Sequence, residues 1–130
     1  MKILTRQLGE LEFDETFIIT FPEGLIGFEQ HQRFIIVNDE DSEPFRWLIS
    51  IDDSDIGFPL IEPTLVYSDY RPELPFSRDE ASLFSIATLN PHLEKITLNL
   101  KGPIIIHNNS RIGKQVVLTS DKYTTAHHMF

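Results

Sequence analysis

The segment whose residues look best suited to hold a ligand is "FPEGLIGFE", residues 21–29, in which Gly24 and Gly27 interrupt an apolar run. Glycine-rich loops bind phosphate through backbone N–H groups, and G-x-x-G loops clamp the backbone of RNA. Both kinds of site depend on positive charge near the loop. This segment has no lysine or arginine and contains Glu23 and Glu29. We therefore do not assign it a phosphate or a nucleic acid.

The same segment is better explained as a corner of the fold. Pro22 ends a strand, and the two glycines permit the positive φ values that a tight turn requires. This interpretation predicts that the apolar side chains of the corner pack back into the core. These side chains are Leu25, Ile26 and Phe28.

The remaining candidate motifs do not support catalysis or metal binding. "DDSDIG", residues 52–57, resembles the start of a calcium loop, but Gly57 and Thr64 fall where that loop needs ligands. Adjacent Asp52 and Asp53 would point to opposite faces of a strand and would not form an acid–base pair. The five histidines have no metal-ligand spacing apart from an adjacent pair near the end, and no G-x-S-x-G elbow occurs. We expect no cofactor, no metal and no enzymatic activity.

The charge distribution points instead to a protein partner. The net charge is −9, and residues 1–80 hold 18 of the 20 acidic residues but 6 of the 11 basic ones. Such a surface repels nucleic acid and anionic membranes and attracts basic proteins, although acidic loops can also serve only solubility. We expect neither direct nucleic-acid binding nor membrane binding. The acids form two clusters, Asp39, Glu40, Asp41 and Glu43, and then Asp52, Asp53 and Asp55.

The elements that must position these residues are mostly short strands. Runs rich in Ile, Val, Phe and Thr recur every 8 to 12 residues or so, which is typical of antiparallel barrels and sandwiches. The pattern predicts one mainly all-β domain over residues 1–130, a small antiparallel β-barrel-like structure with one or two short helical turns. The predicted strands cover residues 8–13, 16–21, 33–38, 45–51, 58–63, 82–89, 95–100, 103–108 and 114–120.

Helical structure is predicted in two places. Residues 27–34 could form one turn, and residues 77–83 begin with a possible capping box of Ser77 and Glu80. Residues 67–77 contain Pro72 and Pro75 and are predicted to form a surface loop. The chain has no cysteine and no apolar stretch typical of a signal peptide, so we expect a soluble cytoplasmic protein.

Three segments together resemble a known family. They are "FPEGLIGFE" (21–29), "PFRWLISIDDSD" (44–55) and "LNLKGPIIIHNNSRIGKQVVL" (98–118). In this order and at this spacing the chain resembles the FliW-type flagellar assembly factors of bacteria, nearly from end to end. It departs from the family at Ile26, where a second proline is common, and at His92, where an acidic residue is more usual.

The resemblance implies a non-enzymatic β protein with two partners. Such proteins bind newly made flagellin, largely through its C-terminal region, and also bind CsrA, the carbon storage regulator that represses translation of flagellin mRNA. The two partners compete, so that export of flagellin frees the assembly factor to capture CsrA and relieve repression. We expect the protein to be a monomer on its own.

The charge pattern suggests where these partners bind. An RNA-binding regulator is basic where it holds phosphates, so it should be attracted to Asp52, Asp53, Asp55 and the loop with Asp39, Glu40 and Asp41. Flagellin is expected to present an apolar helical face to a groove. The candidates for that groove are Pro103, Ile104 and Ile106, because a proline in a strand suggests an edge, and Trp47.

Two questions stay open in the sequence. Trp47 is either a half-buried strand residue or an anchor for a partner. The alternative function is a small-ligand-binding β-barrel, but ten phenylalanines and many isoleucines look sufficient to fill a barrel interior.

Overall fold

The computed structural model describes residues 1–74 and 79–130, and these residues form eleven short β-strands. The strands are β1 (Lys2–Thr5), β2 (Gly9–Glu12), β3 (Ile19–Thr20), β4 (Arg33–Asn38), β5 (Arg46–Ser50), β6 (Gly57–Ile61), β7 (Ala81–Thr88), β8 (Thr97–Leu98), β9 (Ile104–His107), β10 (Gly113–Gln115) and β11 (His127–His128).

The strands form one large antiparallel sheet and a separate hairpin. β1 pairs with β2, and the large sheet has the order β10-β9-β7-β6-β5-β4-β3. β8 pairs with β7 as well as with β11, so the long strand β7 is shared between two branches of the sheet. The prediction of a mainly antiparallel all-β fold is confirmed.

The sheet curls until its two edges meet at a seam. An isolated parallel bridge joins Thr20, at the end of β3, to Ile112, just before β10. The N–H of Thr20 donates to the carbonyl of Arg111 at 3.0 Å, and Arg111 Nη2 donates to the carbonyl of Phe17 at 2.9 Å. Because this bridge replaces a continuous ladder in the described residues, the sheet is barrel-like without being a closed barrel.

Two apolar clusters fill the space inside the curled sheet and beside it. The first is shared by β3, β4, β5, β6, β7 and β9, and contains Ile19, Phe21, Leu25, Phe34, Leu48, Leu60, Phe84, Ile104 and Ile106. The second contains Ile61, Tyr70, Ala87, Leu98, Leu100, Leu118 and Tyr123. The alternation predicted for residues 95–100 is confirmed, since Ile96, Leu98 and Leu100 are buried and Thr97 and Asn99 are half-buried.

The helical turns lie elsewhere than the sequence suggested. Four 3-10 turns are present in the described residues, at Glu15–Phe17, Glu40–Ser42, Pro63–Leu65 and Leu93–Lys95. None of the described helices is long and apolar enough to span a lipid bilayer.

The turn predicted at residues 27–34 is not helical, because Gly27 has φ +86° and β4 begins at Arg33. A single hydrogen-bonded turn is present instead, in which the N–H of His31 donates to the carbonyl of Phe28 at 3.1 Å. The predicted cap at Ser77 lies outside the described residues, and the predicted helix is wrong from Ala81, where β7 begins. Of the predicted loop, residues 67–74 lie outside any strand and residues 75–77 are outside the described part of the chain.

A further correction concerns the strand with Pro103. This segment was expected at an edge, but β9 lies between β7 and β10. Pro103 is compatible with that position because its carbonyl still accepts from the N–H of Val116 at 3.0 Å. The outermost strand on this side of the sheet is β10, which the sequence did not distinguish.

The corner at residues 21–29 depends on its two glycines. Gly24 has φ +66° and its N–H donates to the carbonyl of Phe21 at 2.9 Å, while Gly27 has φ +86°. The interpretation as a corner agrees with this geometry, but only part of the packing prediction is correct. Leu25 is buried, whereas Ile26 is 59% exposed and Phe28 is 37% exposed.

The two glycines differ in the space around them, which yields a test. Gly27→Ala should lose about 1–2 kcal/mol of unfolding free energy, because a side chain is strained at positive φ. Gly24→Ala should lose about 1–3 kcal/mol more, because its Cβ would also lie 2.5 Å from the Glu29 Cα. Urea denaturation of both variants measures the difference, and equal losses would contradict this account.

Candidate partner-binding surfaces

The first candidate surface is an acidic cleft of about 530 Å³ at one end of the β4–β5 hairpin. The 3-10 turn after β4 brings Asp39 close to Glu43, and the pairing of Arg46 with Leu60 places Glu62 beside them. The cleft is lined by Asn38, Asp39, Glu43, Pro44, Phe45, Arg46, Glu62 and Leu65.

The charges in this cleft are incompletely neutralised. Arg46 Nη2 lies 3.4 Å from Glu62 Oε1, in an ion pair that is exposed to solvent and therefore weak. The same guanidinium lies over the Phe84 ring, 5.3 Å from its centre. The apolar side chain of Leu65 is 64% exposed at the rim. Carboxylates beside apolar surface suit a lysine or arginine, which has an aliphatic stem and a charged head.

Trp47 positions the acidic turn. Its indole Nε1 donates to Ser42 Oγ at 3.0 Å, and Ser42 Oγ donates to Asp39 Oδ2 at 2.8 Å. Trp47 is half-buried within the sheet, between Val37 and Pro59 on the neighbouring strands. Of the two interpretations left open by the sequence, this geometry supports the half-buried strand residue, since the polar end of Trp47 is already bonded within the chain.

The second acidic cluster lies in the turn between β5 and β6. Asp52 is mainly structural, because its Oδ2 accepts from the backbone N–H groups of Gln32 and Arg33 at 3.0 and 3.1 Å. Its Oδ1 also pairs with Arg33 Nη2 at 3.0 Å. Burial would raise the pKa of Asp52, but these backbone hydrogen bonds and the Arg33 guanidinium together lower its pKa below the usual value. Asp53 and Asp55 are exposed, and Asp53 Oδ1 accepts from the N–H of Asp55 at 3.1 Å.

The structure separates the two acidic clusters. Phe34 pairs with Ser50 at one end of the β4–β5 hairpin, and Asn38 pairs with Arg46 at the other. At about 3.4 Å per residue, these ends are about 14 Å apart. The clusters therefore form two surfaces, and the sequence missed Glu62 as a member of the first because only strand pairing brings it there.

The third surface is an apolar groove of about 510 Å³ at the end of the sheet that also carries Asp53 and Asp55. The corner forms one wall, where Phe28 packs edge to face on Phe58 with ring centres 5.0 Å apart. Val117 is 57% exposed on the opposite wall. The apolar lining is Leu25, Ile26, Phe28, Phe58, Ile86 and Val117, and the polar lining is Thr88, Asn99, Lys101, Gly102, Gln115 and Thr125.

Gln115 connects the two walls of this groove. Its Oε1 accepts from the N–H of Ile26 at 2.9 Å, and its Nε2 donates to the carbonyl of Gly102 at 3.0 Å. The corner is thereby attached to the outermost strand, although the two are 89 residues apart in sequence. The groove leaves no signal in the sequence because its residues come from six separate segments.

The apolar residues that the sequence proposed for partner binding are not at the surface. Ile104 and Ile106 are 0% and 2% exposed, and Pro103 is buried. Ile104 and Ile106 belong to the same core cluster as Leu25, and the groove residues Phe58 and Ile86 pack against that cluster. Among the described residues, no three His, Asp or Glu side chains are arranged to share a metal ion.

Comparisons with known proteins agree on one family. The family model described as FliW protein matches residues 2–129. A protein of Natranaerobius thermophilus named flagellar assembly factor FliW is 39% identical over a 141-residue alignment that covers 100% of this chain and 93% of that protein. A protein of Thermotoga neapolitana with the same name is 36% identical, covering 96% of this chain and 91% of its own length.

A solved structure extends this likeness to three dimensions. The crystal structure of a flagellar assembly factor FliW superimposes with a TM-score of 0.93 at 32% identity, covering 100% of this chain and 97% of that one.

The bonding of Asp52 predicts a pH-dependent stability. At neutral pH, Asp52→Asn should lose about 1–2 kcal/mol, because the donors of Gln32 and Arg33 lose a charged acceptor. The pKa of Asp52 is lower in the folded state than in the unfolded state, where it is about 3.9. Its carboxylate therefore stabilises the fold at pH values above about 3.9, and this stabilisation is lost as the pH falls through the folded-state pKa. The difference in unfolding free energy between wild type and Asp52→Asn, measured by urea denaturation, should therefore become smaller below about pH 4.

Asp55→Asn is the control for this experiment, because Asp55 is exposed in the same turn. Its effect should stay within about 0.5 kcal/mol. A gap between Asp52→Asn and wild type that stayed constant across pH would contradict the assigned role.

Proposed function

This chain belongs to the FliW family of flagellar assembly factors, and from that premise we propose that it is a cytoplasmic, non-enzymatic regulator that binds flagellin and the translational repressor CsrA. The observation that carries the proposal beyond family membership is the division of the surface into acidic patches and an apolar groove. Each suits one kind of partner.

The acidic patches suit an RNA-binding repressor. A protein that holds phosphates is basic where it does so, and opposite charge accelerates the association of two proteins. The cleft with Asp39, Glu43 and Glu62 and the turn with Asp53 and Asp55 supply that charge. Once CsrA is bound, carboxylates close to its RNA-binding surface repel the phosphates of the message, which relieves repression.

The groove suits an apolar segment of flagellin. Its walls carry exposed Ile26 and Val117, and its floor continues into the buried core through Leu25. Apolar helices bind to other proteins by laying their apolar face in grooves of this kind.

Competition between the two partners follows from the position of the second acidic cluster. Phe58 lines the groove and is three residues from Asp55, so their Cα atoms are at most about 11 Å apart. A typical protein interface covers about 800 Å² on each partner. A repressor that contacts Asp53 and Asp55 therefore covers one wall of the groove, and bound flagellin blocks that contact.

The function can be tested with CsrA bound to labelled flagellin leader RNA. Addition of this protein should release the RNA, more strongly at low salt than at high salt, and flagellin should reverse the release. If the folded protein does not release RNA, the proposal that its acidic surfaces displace RNA from CsrA is wrong.

Variants of the acidic turn at the cleft sharpen that experiment. Glu40→Lys with Glu43→Lys should slow association with CsrA about tenfold at low salt and flatten the salt dependence. Both side chains are exposed. The control is Glu10→Lys with Glu12→Lys on β2, which makes the same change in net charge on the separate hairpin. Equal slowing by both pairs would assign the effect to net charge alone.

The groove has its own matched pair of variants. Ile26→Glu should weaken flagellin binding about tenfold or more, because it places a carboxylate on the apolar wall. Leu4→Glu alters a side chain that is 72% exposed on β1, and should leave binding unchanged. Isothermal titration with flagellin measures both, and thermal melting checks that both variants fold. Undiminished binding by folded Ile26→Glu would exclude the groove.

A further inference from the structure

The strand β10 continues to pair with its neighbour beyond Gln115, its last residue. Beyond β10, the N–H of Val116 donates to the carbonyl of Pro103 at 3.0 Å, and the N–H of Leu118 donates to the carbonyl of Lys101 at 2.8 Å. The antiparallel pairing of β10 with β9 therefore extends as far as Leu118.

The other side of this extension is unpaired. Backbone groups alternate in direction along a strand, so the N–H and C=O groups of Val117 and Thr119 point away from the sheet. Across residues 1–74 and 79–130, none of these four groups is hydrogen-bonded. The seam covers the edge only near Thr20 and Ile112, further back along the same strand. An open edge of this kind is a template for another extended chain.

The unpaired edge at residues 115–119, called the free edge below, has a hollow on each of its two faces. The apolar groove lies on the face of Gln115 and Val117. On the other face, a cleft of about 430 Å³ runs along residues 116–120 and is also lined by residues 71–73, Lys122 and Tyr123. A strand added at the edge would place alternate side chains in the groove and in the cleft.

The two recesses differ in chemistry. The groove has an apolar lining, with Lys101 at its border, whereas the cleft is lined by Arg71 and Lys122 against one acid, Glu73. Another nearby acid, Asp121, is fully exposed, 3.9 Å from Lys101. This edge is thus locally basic on a protein with a net charge of −9. Side chains in the cleft should be acidic, and those in the groove apolar.

We propose that the free edge at residues 115–119 binds an extended segment of a partner protein by strand addition, and that this segment alternates apolar with acidic side chains. The assignment goes beyond the proposed function, because it requires neither CsrA nor a helical face of flagellin. Apolar side chains of the segment enter the groove beside Val117, and its carboxylates meet Arg71 and Lys122.

The test uses the full chain and a fluorescein-labelled, end-capped peptide of repeated Val-Glu pairs. Fluorescence anisotropy should detect binding, and the matched peptide of Val-Lys pairs should bind at least about threefold more weakly, because rim charges contribute modestly. Amide hydrogen exchange followed by NMR should slow at Val117 and Thr119 when the Val-Glu peptide binds. The amides of Val116 and Leu118, which are already bonded, report on any general change in stability.

Two variants at one position separate backbone pairing from side-chain contact. Val117→Pro removes an outward N–H without breaking an existing bond, and should weaken peptide binding about tenfold. Val117→Ala keeps the N–H and should weaken it about threefold or less. Circular dichroism checks folding, and if the proline variant does not fold, amide exchange on the wild type decides.

Three results would overturn the proposal. They are binding of the proline variant equal to that of the alanine variant, unchanged exchange at Val117 and Thr119, and equal binding of the Val-Lys peptide. Sedimentation of the wild type as a dimer that the peptide dissociates would assign the edge to a second copy of this chain instead. None of these experiments uses CsrA or flagellin, so their outcome is independent of the experiments that test the proposed function.

Discussion

The fold depends on the contact between the Phe21 ring and the backbone of Gly113. Phe21 is fully buried, and a Cβ at position 113 would lie 2.4 Å from its ring. Only a glycine allows the two edges of the sheet to approach this closely. The bridge from Thr20 to Ile112 forms at the same place, and the corner that begins at Phe21 is held over the end of the sheet. The position of the apolar groove is a consequence of this seam.

The seam also determines which part of the outermost strand is available. Pairing across the seam involves Thr20 and Ile112, and beyond that point the N–H of Ile26 in the corner donates to the side chain of Gln115 on β10. The outward backbone groups of Val117 and Thr119 have no hydrogen-bond partner in the described residues. The extended chain that begins with β10 continues to Leu118, whereas the seam lies at Ile112. The free edge and the apolar groove therefore lie side by side.

The surface combines opposite charges on a small body. Acids gather at both ends of the β4–β5 hairpin, while Arg71, Lys101 and Lys122 lie along the free edge. Some of this charge is structural, as with Asp52, whose carboxylate holds the backbone at the start of β4. The exposed remainder puts acidic surface and basic surface on different parts of the molecule, and our two proposals assign basic and acidic partners to these different places.

Local features of the sequence were sufficient for the fold class, the corner and the acidic clusters. Alternation such as that of Ile96, Leu98 and Leu100 reports directly on a strand with one buried face, and Gly24 and Gly27 mark the positive φ values of the corner. The tertiary structure decided which strand is at the edge, so that Pro103 is central and Val117 is free. It also brought Glu62 to the acidic cleft and Phe58 to the groove. These placements depend on register between segments far apart in sequence, and register is set by how all the strands pack together rather than by any one segment.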